Sequence, residues 1–239
     1  MCIRDSFHYI SGSLRGNCLW NSGHNRKLIS AYKIFGERHT GTNALSLFIS
    51  ENFPLKMHYY DFLGWKHRLA PNYQEFSKFN ISDTLFIFLI RNPYAWLQAM
   101  YREPYYNHYH RINELPFEEF LTFQFEDYEN LIAMWSKKNT SYLDMAKWVP
   151  NALVIKLEDF RSDQKEVFKQ ISEFVPPKKE SCIEFNSYIN GRGHIKDQDI
   201  DKNLRMNTLS QPALEIINRN LDFRLMASLK YDLMETYDE

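Results

Sequence analysis

Residues 29–52 read ISAYKIFGERHTGTNALSLFISEN, an apolar run, a glycine-bounded loop and a second apolar run in that order. Residues 29–35 form a short apolar-containing run, with Tyr32, Ile34 and Phe35 as its apolar part, and predict a strand. Residues 36–43 (GERHTGTN) are rich in turn formers and bounded by Gly36 and Gly41. From Thr42 onward, Ala44, Leu45, Leu47, Phe48 and Ile49 follow a helical period that ends near Asn52-Phe53-Pro54. The unit is therefore strand, glycine-bounded loop, helix.

Further along the chain, residues 56–66 read as a second extended piece closing on Gly64-Trp65-Lys66-His67. Residues 84–90 (TLFIFLI) are nearly continuous in apolar and β-branched side chains, as in a parallel strand buried on both faces. Asn92-Pro93 breaks that run, and Pro93 suits the first turn of a helix continuing through Tyr101 and stopped by Pro104. Helices are expected over residues 117–125 and 127–148, the second with Leu131, Met134 and Trp135 on one face. Residues 152–157 (ALVIKL) predict another buried strand, after which Ser162 or Asp163 caps a helix to Phe174. Residues 187–203 predict a loop, and residues 211–234 a last amphipathic helix. Strands alternating with helices imply an α/β fold, three layers with a mainly parallel central sheet flanked by helices.

Composition narrows the function. Twenty-nine basic against thirty acidic residues leave a net charge of −1, without the basic excess of a protein that coats nucleic acid. No apolar run approaches the ~18–20 residues of a membrane span. Cys2, Cys18 and Cys182 are odd in number, far apart and without zinc-ligand spacing, which points to a reducing, cytoplasmic setting and no metal. Residues 1–28 are expected to be a poorly ordered lead-in, with 1–6 (MCIRDS) foreign to the native chain and lacking the features of a secretory signal. Residues 29–239 are expected to form one α/β domain.

Ligands of such a sheet bind beyond the carboxyl ends of its strands. Four polar clusters fall there: residues 36–43, 65–67, 91–93 and 158–159. The first has the outline of a phosphate cradle, with backbone N–H groups and a helix N-terminus turned toward an anion. Against the nucleoside-triphosphate template G-x-x-x-x-G-K-[ST], Gly36 and Gly41 match, but Thr42 stands for the lysine and Asn43 for the Mg²⁺-binding hydroxyl.

The loop resembles the 5′-phosphosulfate loop of sulfotransferases that use 3′-phosphoadenosine 5′-phosphosulfate (PAPS). Gly36, Arg38, Gly41, Thr42 and Leu45 fit a G-x-R-x-x-G-T-x-x-L pattern of bacterial and carbohydrate-type members. Residues 85–96 (LFIFLIRNPYAW) are similar to the family's 3′-phosphate strand, Lys66-His67 with Pro71 to its lysine–histidine–proline segment, and residues 153–160 (LVIKLEDF) to its late strand. Residues 217–222 (INRNLD) resemble its C-terminal helix. His39 stands where the family often has lysine, and Ala99 where it often has serine.

The resemblance implies a P-loop-type fold and a sulfotransferase moving a sulfuryl group from PAPS to an acceptor hydroxyl of a small molecule or glycan, by in-line transfer without a metal. It implies donor binding by Arg38, His39, Thr40, Gly41, Thr42, Asn43, Arg91, Arg192 and Gly193. It implies catalysis by His67 as general base, with His39 and Lys66 stabilising the transferring group. Two alternatives stand beside it: a P-loop kinase of small molecules, and a non-catalytic nucleotide-anion binding protein of the same fold. The aromatic-rich residues 101–111 (YREPYYNHYHR) read either as an acceptor platform or as a packed helix corner.

Overall fold

The computed structural model describes residues 28–104, 112–185, 188–189, 195–196 and 209–235. Strands β1 (Ala31–Phe35), β2 (Lys56–Met57), β3 (Thr84–Ile90) and β4 (Ala152–Lys156) form a parallel sheet in the order β2-β1-β3-β4. Every residue of β1 and β3 is buried. The run at residues 84–90 is the β3 strand from end to end, because a strand covered on both faces has no use for polar alternation.

The pleat divides β3 between two cores. Leu85, Ile87 and Leu89 pack with Tyr32, Ile34, Leu153 and Ile155 against Leu45, Phe48 and Ile49 of helix α1 (Thr42–Asn52). Phe86, Phe88 and Ile90 pack on the opposite face with Trp96, Leu97, Leu131 and Trp135. Those residues come from α3 (Pro93–Arg102) and α5 (Leu131–Ala146). Helices on both faces of a parallel sheet make the three layers expected from the alternation of elements.

The remaining helices are short: α2 (Tyr73–Phe76), α4 (Phe117–Thr122), α6 (Leu157–Ser162), α7 (Gln164–Ser172), α8 (Gln211–Asn220) and α9 (Phe223–Ser228). Their starts follow side-chain chemistry. Asn130, Asp163, Ser210 and Asp222 each accept a first-turn amide of α5, α7, α8 and α9.

Several expectations change. The extended piece over residues 56–66 is a two-residue strand followed by turns. Leu63 and Gly64 have positive φ, and the buried Lys33 Nζ donates to the carbonyls of Tyr59 and Gly64, wrapping the segment around an ammonium. Residues 127–130 precede α5, because Glu126 is left-handed and Asn130 starts the helix. Residues 158–159 are not loop but the first turn of α6, which begins at once after β4. The last helix is two, since Asp222 caps a new start after Leu221. Within the loop expected over 187–203, β5 (Tyr188–Ile189) and β6 (Ile195–Lys196) pair antiparallel.

Candidate functional site

From β1 the chain runs outward to β2 and then crosses back to β3 on the other side of β1. The β1 and β3 carboxyl ends thus flank the switch point, the place where sheets of this kind take their ligands. Gly36–Gly41 leaves β1 there, and Arg91-Asn92 leaves β3. Arg91 Nη1 donates to the His39 carbonyl at 2.8 Å, so the two loops are tied directly.

Two glycines make the first loop possible. A Cβ on Gly36 would stand 2.6 Å from the Leu89 carbonyl oxygen, so the loop leaves flush against the neighbouring strand. Gly41 has φ +82° and is the residue before α1, and no side chain caps that helix. Between them, Thr40 folds back, its hydroxyl donating to the Glu37 carbonyl. His39 takes a left-handed φ of 60°, its ring nitrogen Nε2 lying 2.9 Å from the Glu103 carbonyl. Burial holds its imidazole below the ordinary value, so the ring is neutral and Nε2–H is the donor.

The segment after the turns closes the site from the other side. Gly36 N–H donates to the Lys66 carbonyl at 3.0 Å, and the His67 ring returns the bond, Nδ1 to the Gly36 carbonyl. A carbonyl only accepts, so Nδ1 carries the proton and the neutral ring keeps its lone pair on Nε2. Burial, helped by the charges of Lys66, Arg38 and Lys138, pushes His67 down to about 3. Lys66 Nζ donates to Asn43 Oδ1 at 2.6 Å, across to the first turn of α1. Burial and the nearby Arg38 charge lower Lys66 to about 8. The Arg38 guanidinium lies 4.8 Å from the Trp65 ring, which in turn meets His67 edge-on.

Arg38, His39, Thr40, Gly41, Thr42, Asn43, Lys66, His67 and Arg91 therefore gather at one end of the sheet. Thr40 spends its hydroxyl on the loop itself and Thr42 is buried at the start of α1. Arg192 and Gly193 lie outside the described residues, as do residues 105–111 of the aromatic segment. Tyr101, at its start, belongs to a packed corner: its hydroxyl donates to the Leu115 carbonyl and its ring meets Phe117 and Phe120.

The sequence reading missed the pair beneath the loop. Glu37 and Lys138 are both buried and ion-paired, and Glu37 Oε1 also accepts the Arg38 N–H at 2.7 Å. The available signal was Lys138 itself, three residues beyond Trp135 and four before Tyr142 on the apolar stripe of α5. Trp96 and Trp135 also reach the two loops from the core. Their indole N–H groups donate to the carbonyls of Arg38 and Arg91. On the β3 side, Glu158 accepts the Asn92 N–H at 3.0 Å and the Tyr231 hydroxyl at 2.8 Å, which makes it a brace for the second loop.

The fold and site thus define an α/β protein with a parallel sheet and with Arg38, Lys66, His67 and Arg91 gathered at its switch point. No family model matches the chain, and neither does any curated protein. Among solved structures, a sulfotransferase from Alicyclobacillus acidocaldarius is similar at 15% identity, over 85% of this chain and 97% of that one, with a TM-score of 0.43. Mouse sulfotransferase SULT7A1 complexed with PAP is similar at 14% identity, over 83% of this chain and 66% of that one, with a TM-score of 0.38. Among the described residues no helix is long and apolar enough to cross a membrane.

Proposed function

We propose that this chain is a sulfotransferase that carries the sulfuryl group of PAPS to an acceptor hydroxyl on a small molecule or glycan. The observation that carries the reading is the meeting, at the switch point, of the Gly36–Gly41 loop, the Lys66-His67 segment and Arg91. The ordered sequence motifs that resemble the PAPS-using family supply these three parts. The site's electrostatics fit a polyanion. Lys66 meets a neutral amide oxygen and is repelled by Arg38, while α1 opens onto the loop without a side-chain cap.

In this reading the donor supplies a sulfuryl group on a phosphate leaving group, and the protein positions it and stabilises its charge. The amides of residues 39–43, with Arg38 and Lys66, hold the 5′ end. Arg91 holds the 3′-phosphate. His67 presents Nε2 as a proton acceptor for the attacking hydroxyl, since Nδ1 is committed to Gly36. Bound negative charge offsets the repulsion from Lys66 and Arg38 and makes that nitrogen more basic than in the free protein. Asn43 in place of the Mg²⁺-binding hydroxyl suits transfer without a divalent ion better than a kinase reaction.

Adenosine 3′,5′-bisphosphate without Mg²⁺ is expected to raise the melting temperature more than Mg·ATP does. Labelled PAPS is expected to turn over against a panel of hydroxyl acceptors. Binding without turnover against any acceptor supports the non-catalytic alternative instead, and stabilisation by Mg·ATP alone supports the kinase.

A further inference from the structure

Resting on that reading, we infer that Lys138 is a positioning residue, which sets the orientation and tautomer of the His67 imidazole from helix α5. Its Nζ, on a helix more than seventy residues away in sequence, donates to the His67 carbonyl at 2.9 Å and pairs with Glu37 Oε2. The same ammonium therefore ties the His67 peptide to the residue that follows Gly36. Glu37 follows Gly36, whose carbonyl takes the His67 Nδ1 proton, and the His67 peptide carries the ring.

Burying an ammonium is costly, and an apolar side chain at this point of the α5 stripe would complete the core without that cost. What the apolar side chain would not supply is the link. The rest of α5 has the same character. Trp135 donates to the Arg91 carbonyl, Tyr142 to the Arg68 carbonyl at 2.8 Å, and Ser141 accepts the Ala70 N–H at 3.0 Å. One helix thus holds the backbone of both the β3 loop and the 67–70 segment. Lys138 is the member of that set which also reaches the Gly36–Gly41 loop. Without it, the His67 peptide and the Gly36 carbonyl are free to shift apart, and the ring loses the acceptor that fixes its proton on Nδ1.

The test uses the full chain with ¹⁵N-labelled histidine, in the wild type, Lys138→Met, Lys138→Arg and the double variant Glu37→Gln/Lys138→Met. The double variant leaves no unpaired buried charge and stays interpretable where Lys138→Met alone unfolds. Long-range ¹H–¹⁵N spectra near neutral pH are expected to show one Nδ1-protonated His67 in the wild type. A mixture of tautomers is expected in the Met-containing variants, with the wild-type pattern largely restored by Lys138→Arg. Turnover of PAPS is expected to fall by about 10–100-fold in the double variant, while affinity for adenosine 3′,5′-bisphosphate changes only a few-fold. A single unchanged tautomer in the folded double variant overturns the inference, and so does a changed tautomer with unchanged turnover. If the wild type neither binds adenosine 3′,5′-bisphosphate nor turns over PAPS, the sulfotransferase reading fails, and the tautomer measurement alone decides the role of Lys138.

Discussion

Replacing His67 by asparagine should remove a specific slope from the pH dependence of stability. In the folded chain His67 is pushed down to about 3, against an ordinary 6.5. Between those values the unfolded chain binds a proton that the folded chain refuses, so stability rises with pH across that window and is lost as pH falls through it. Acidifying to about pH 5 spans about 1.5 units below 6.5, which at about 1.4 kcal/mol per unit costs roughly 2 kcal/mol from this ring alone. Asparagine carries an amide N–H near the position of Nδ1, so the bond to the Gly36 carbonyl survives while the titration does not. His39 and His58, also lowered by burial, contribute with the same sign in both proteins and cancel in the difference. Urea unfolding of both proteins at about pH 7.5 and about pH 5 should therefore show the variant losing about 2 kcal/mol less on acidification. Parallel losses in the two proteins refute the argument, because they mean the ring is hydrated and titrates normally.

Gly41→Ala forces a left-handed alanine and brings its Cβ within 2.7 Å of the Leu157 side chain. The backbone part alone should cost about 1–2 kcal/mol, a melting-temperature fall of roughly 2–8 °C by calorimetry. Gly36→Ala should be worse, since its Cβ meets the Leu89 carbonyl of β3 and no side chain can move aside; the check is a lower melting temperature than Gly41→Ala. Glu37→Gln leaves the buried Lys138 without its carboxylate and should destabilise by about 3–5 kcal/mol in urea unfolding, much of it recovered by adding Lys138→Met. Affinity for adenosine 3′,5′-bisphosphate should fall as pH rises through about 8, where the free protein's Lys66 loses its charge. Calorimetric titration of Lys66→Met should show a weaker and flatter profile over the same range.

The fold was legible where burial is two-sided and chemistry is local. Residues 84–90 carry no polar interruption, and Thr42–Asn52 begins at a glycine and ends where Pro54 forbids another turn. The loop was legible as a loop because two glycines at a strand end mark a tight exit into a helix. The 56–66 segment was misread because its turns are organised by Lys33, whose burial depends on the completed sheet. The start of α6 was hidden because Lys156-Leu157-Glu158 changes from strand to helix with no capping side chain to mark it. The Glu37–Lys138 pair joins residues about a hundred positions apart, and spacing along the chain says nothing of such a contact.

The buried lysines separate scaffold from site. Lys33 is held by the carbonyls of Tyr59 and Gly64, and its charge serves the turn it organises. Lys138 is neutralised by Glu37. Lys66 is different, because its partner Asn43 is neutral and its charged neighbour Arg38 has the same sign. A folded protein gains nothing from that arrangement on its own, since desolvation and repulsion both oppose it. It becomes favourable when an anion enters, and only then do the uncapped turn of α1, Arg38 and Lys66 act in the same direction. Lys66 and Arg38 lie at the carboxyl ends of β1 and β3, where the strand order reverses and where parallel sheets take their ligands. That meeting of two like charges with the switch point is the ground on which the proposed anion site is placed there rather than at Lys33 or Lys138.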